Sequence, residues 1–80
     1  MSERSWEPAE RLVPELLHEL MHMGTVEYGG QVIQQYKHVD TRRYINLDGT
    51  GQAWEVAVAG PGEVGARRIG LDVAKARVLS

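Results

Sequence analysis

The residues best equipped for chemistry fall into two clusters. The first is His18-Glu19-Leu20-Met21-His22, an HExxH string. On a helix, imidazoles at i and i+4 share one face and can reach one zinc ion. The glutamate between them can then deprotonate a zinc-bound water. The second is Tyr36-Lys37-His38-Val39-Asp40-Thr41-Arg42-Arg43-Tyr44, which gathers four potentially cationic side chains and two tyrosines around one strand connection. Lysine and arginine suit phosphates, and tyrosine suits stacking on an unpaired base. Tyrosine and arginine are equally favoured anchors of protein interfaces.

The HELMH string resembles the zincin metalloprotease signature over its five residues. That resemblance implies a zinc-dependent hydrolase with His18 and His22 as ligands and Glu19 as base. A third ligand would come from Glu27, His38, Asp40 or Glu55, and nothing in the sequence selects one. Glu15 stands where the extended signature has a small or apolar residue. Thr25 and Tyr28 stand where the metzincin continuation has glycine and histidine. A helical projection also places His18 and His22 on a polar strip with Arg11, Glu15 and Glu19, as on a solvated face with an i,i+4 ion pair. The expectation is therefore no cofactor, with zinc at His18 and His22 as the alternative.

Both clusters need elements to hold them. Ser5 or Glu7 can cap a helix with Pro8 in its first turn, and the apolar periodicity runs on to Gly24, a natural stop. Pro14 lies inside it and predicts a kink or a fresh start. Beyond Gly24 the period becomes two. Segments 25–28 and 31–38 flank Gly29-Gly30, a two-residue hairpin signal. Segments 42–47 and 52–59 follow, joined through Asp48-Gly49-Thr50-Gly51. Opposing Ile45 to Trp54 puts Ile45, Leu47, Trp54, Val56 and Val58 on a core face, and Arg42, Tyr44, Asn46, Ala53, Glu55 and Ala57 on a wet one. Residues 60–66 read as a Gly/Pro loop and residues 1–5 as a flexible start. For 67–79, a short helix from Asp72 through Leu79 is favoured over an edge strand at 66–73. The expected fold is a single α+β domain over 1–80: an N-terminal amphipathic helix packed on a 3–4-stranded antiparallel meander, with a short C-terminal helix.

Composition narrows the function. Eighty residues with no cysteine leave no disulfides, no thiolate zinc site and little chain for a substrate cleft beside a core. A formal net charge of −2 predicts no strong global pull on nucleic acid. The charge is uneven: six acids face only Arg4 and Arg11 in residues 1–30, while seven bases face five acids in 31–80. No apolar run approaches a membrane span. The reading is a cysteine-free, soluble, cytoplasmic, non-catalytic accessory module, monomer or homodimer, that binds a protein. Its contact residues would be Tyr36, Lys37, His38, Arg42, Arg43, Tyr44 and Glu55. Nucleic-acid binding by the 36–44 segment is the alternative, and the zinc hydrolase a further one.

Overall fold

The computed structural model describes residues 5–60 and 63–80. The expected long helix is not there. Helix α1 spans only Glu7–Leu12, with Pro8 in its opening turn and Glu7 and Glu10 favourably placed at the positive end of its dipole. Val13 then leaves the helical region (φ −136°, ψ 54°). The following Pro14 is the cause. It lacks an N–H, and its ring disfavours helical geometry in the residue before it. A 3-10 helix, Pro14–Glu19, follows, and Leu20 is fully extended (φ −115°, ψ 148°). Gly24, expected as a helix stop, lies inside strand β1, Leu20–Tyr28.

Four more strands follow: β2 (Gln31–His38), β3 (Tyr44–Asp48), β4 (Ala53–Gly60) and β5 (Glu63–Ile69). Helix α2, Leu71–Leu79, closes the described chain. The sheet is antiparallel throughout and its spatial order is the chain order, β1-β2-β3-β4-β5. This is an α+β meander with five strands rather than three or four. Segment 60–66, expected as a loop, contributes Gly60 to β4 and 63–66 to β5; Pro61 and Gly62 lie outside the described residues. The tail is both a strand and a helix, not one or the other. Of the start expected to be flexible, residues 1–4 lie outside the described residues. The Ser5 carbonyl accepts a hydrogen bond from the Tyr36 hydroxyl at 2.5 Å.

Gly29 and Gly30 make the expected two-residue turn, both at positive φ (58° and 83°), pairing Tyr28 with Gln31. The β3–β4 connection departs from expectation by one residue. Asp48 N–H donates to the Gln52 carbonyl at 3.0 Å, so the loop is the three residues Gly49–Gly51, with Gly51 at φ 96°. Trp54 consequently opposes Asn46, not Ile45. A one-residue slip exchanges faces. Ala53 and Glu55 join Ile45 and Leu47 on the helix side, and Trp54 and Val56 join Tyr44 and Asn46 on the other.

The dry layer between helices and sheet contains Ala9, Val13, Leu16, Tyr36, Ile45, Leu47, Ala74 and Val78. Trp54 lies outside it, yet is only 6% exposed. The sheet curls until β1 approaches β5. Tyr28 meets the Trp54 ring edge-on at 6.2 Å, and the Arg68 guanidinium lies over it at 5.5 Å. Trp54 is buried on the sheet's second face.

A candidate binding cleft between strands three and four

Strands β3 and β4 pair only at Leu47–Ala53 and Asn46–Trp54, then part. Tyr44, Ile45 and Asn46 form one wall of the opening and Trp54, Glu55 and Val56 the other, around a cavity of about 410 Å³. Arg42 and Arg43 enter from the β2–β3 loop and Arg77 from α2.

The loop that presents the arginines is anchored from beneath. His38 N–H donates to the Arg43 carbonyl and Arg42 N–H to the His38 carbonyl, each at 2.9 Å, which closes a tight loop over residues 39–42. Arg42 completes it at φ 65°, the one non-glycine at positive φ among the described residues. The His38 ring is 3% exposed. Its Nδ1 accepts from the backbone N–H groups of Asp40 (3.1 Å) and Thr41 (3.2 Å). That leaves Nε2–H to donate to Glu19 at 2.7 Å. The Thr41 hydroxyl donates to the Val78 carbonyl at 2.6 Å, tying the loop to the end of α2.

Four of the seven expected contact residues, Arg42, Arg43, Tyr44 and Glu55, meet at this cleft. Lys37 lies beside it, with its ammonium 6.0 Å from the centre of the Tyr44 ring. Tyr36 and His38 are corrections: strand alternation turns both toward the helices, where they are buried. Tyr36 packs against Trp6 (5.3 Å) and His22 (5.7 Å), and burial pushes its hydroxyl up to about 12. His38 serves the loop from inside. Of the lining residues outside the expected contact set, Trp54, Arg77 and Asn46 are the ones with polar or aromatic chemistry. The sequence reading expects Trp54 in the core, Arg77 on the favoured short C-terminal helix, and Asn46 on the wet face though not among the contact residues. The polarity of Asn46 at a central strand position was the available signal.

The charges in the cleft are unequal in their commitments. Glu55 bonds Arg67 Nε at 2.5 Å and Arg77 Nη1 at 3.2 Å. The Arg67 hydrogen bond is the main reason its carboxyl lies below the usual range. Among the described residues, Arg42 and Arg43 form no salt bridge. Asn46 donates from Nδ2 to the Trp54 carbonyl at 3.2 Å, and its buried Oδ1 has no partner.

The HELMH string does not form a helical motif. His18 is exposed on the 3-10 helix, while Leu20, Met21 and His22 belong to β1. Glu19 is engaged by His38, and His22 Nε2 bonds Gln34 Oε1 at 2.7 Å. Among the described residues, no three His, Asp or Glu side chains converge as metal ligands would. No described helix is long and apolar enough to cross a membrane. Comparison of the chain with known proteins finds no matching family model, curated protein or solved structure.

Proposed function

We propose that the protein is a small, non-catalytic binding module that holds a protein partner in the β3–β4 cleft. The carrying observation is the convergence of Arg42, Arg43 and the half-exposed Tyr44 on one opening, with neither arginine in a salt bridge among the described residues. Tyrosine offers a large, rigid contact area at low conformational cost and arginine a planar fork of donors, which suits both to anchor an interface. Nucleic acid is the weaker reading, because a formal net charge of −2 gives no long-range pull on an extended polyanion. We place this binding in the cytoplasm on composition alone.

The test is affinity capture from the native host, comparing the full chain with an Arg43→Ala/Tyr44→Ala variant. Both side chains are exposed, so the melting curve should move little. Specific capture should fall by about tenfold or more, equivalent to one strong anchor. Undiminished capture overturns the assignment.

A further inference from the structure

Beyond Trp54, β4 keeps its partner on one side only. Glu55, Val56 and Ala57 pair with Arg67, Ala66 and Gly65 of β5, while β3 has moved away. β3 is likewise paired on its far side, Ile45 with Tyr36 and Tyr44 with Lys37. The Asp48 N–H bond to the Gln52 carbonyl sets the phase of the interrupted ladder. In an antiparallel pair the inward-pointing groups alternate, so Tyr44 and Val56 are the next residues due to exchange N–H and C=O bonds. The β3–β4 ladder does not extend to that pair. Such an edge is a template for another extended chain.

We propose that the occupant of the cleft is an extended acidic peptide segment that adds a strand to the open edge of β4 and places its carboxylates on Arg42 and Arg43. This rests on the protein-binding reading above and names the partner's chemistry. Three observations support it independently of the edge. Arg42 and Arg43 have no carboxylate partner among the described residues, whereas Glu55 is already held by two arginines. Arg42 occupies a left-handed conformation that glycine would adopt without strain, so its side chain is kept at an energetic cost. Asn46 has a buried amide oxygen without a hydrogen-bond partner, and its orientation is fixed because Nδ2 already serves the Trp54 carbonyl. A donor from an incoming strand would supply what that oxygen lacks.

The test selects binders to the full chain from a random peptide library displayed on phage, then examines the best peptide by amide hydrogen exchange. Selected sequences should interleave Asp or Glu with β-branched residues and lack proline. Exchange at the Val56 amide should slow about tenfold at saturation, and methylation of the peptide's central amide nitrogen should abolish binding. Arg42→Gly should weaken the peptide about tenfold while leaving the melting temperature equal or higher, since glycine fits φ 65°. Neutral or basic selected sequences, unchanged Val56 exchange, or displacement of the peptide by oligothymidylate would each overturn the proposal. An empty selection also overturns it. If the Arg43/Tyr44 variant still loses its native partner, the protein-binding reading survives that failure. If capture is unaffected as well, both fall.

Discussion

The Asp48 carboxylate is 1% exposed, and burial alone would raise its pKa. Four donors reverse that: the Thr50 hydroxyl (2.6 Å), the Trp54 indole N–H (2.7 Å), and the backbone N–H groups of Gln52 (3.1 Å) and Thr50 (2.8 Å). The net result lies below the ordinary value of 3.8. A depressed carboxyl stabilises the fold above its unfolded pKa and loses that contribution as pH falls through the folded one. Trp54→Phe removes one donor and should cost about 1–3 kcal/mol at neutral pH. The gap between variant and wild type should narrow as pH drops below about 4, as urea midpoints at pH 7 and pH 3 would measure. A constant gap would mean the carboxylate is not what the indole stabilises. At this scale the sequence was partly legible. Arg42, Arg43, Tyr44 and Glu55 are close enough in chain or across one connection to be grouped by inspection. The burial of Tyr36 and His38 was not readable, because β2 carries apolar residues on both of its faces and alternation alone does not say which face meets the helices.

The elements were less legible where two periodicities compete. From Leu16 to Met23 the apolar residues satisfy a helical stripe, yet in β1 Leu20 and His22 lie opposite His38 and Tyr36 on the helix side, and after a bulge between His22 and Gly24 Val26 lies opposite Ile33 on the other face. Pro14 was the local signal that the stripe is not one helix: it ends α1 before Val13 and opens a 3-10 turn that runs only to Glu19. Hairpins with unambiguous turn chemistry were readable. The Gly29-Gly30 turn needs positive φ at both positions. Gly30→Val should therefore destabilise the protein by about 1–2 kcal/mol, whereas Gly29→Asn should be neutral or better. Guanidinium unfolding of the two variants checks the contrast, and equal losses would show that the turn is not of this type. The three-residue Gly49–Gly51 loop was missed because Asp48 resembles a turn residue but serves as the last residue of β3, and counting it in the loop inverted the face assignments of Ala53, Trp54, Glu55 and Val56.

For the molecule as a whole, the curl of the sheet gives a second interior without a second layer of helices. Tyr28, from the first strand, covers a tryptophan on the fourth. Tyr28→Ala should open that side of Trp54 to water. In a Trp6→Phe background, where Trp54 is the sole tryptophan, emission should shift to longer wavelength with little loss of far-ultraviolet ellipticity. An unmoved spectrum would mean that the two edges do not close over Trp54 in solution. Curvature of this kind depends on where strands part as much as on which residues they contain, so composition could not announce it. The final helix has its own consequence. Lys75 reaches back to Glu15, Arg77 to Glu55, and the Val78 carbonyl to Thr41. Each strand finds its neighbour already made as the polypeptide emerges, but these three ties reach back 60, 22 and 37 residues. The clasp that joins the 3-10 helix, the β2–β3 loop and β4 is thus synthesised after all of them, and until residues 71–79 leave the ribosome the meander is held by its own ladders and turns alone.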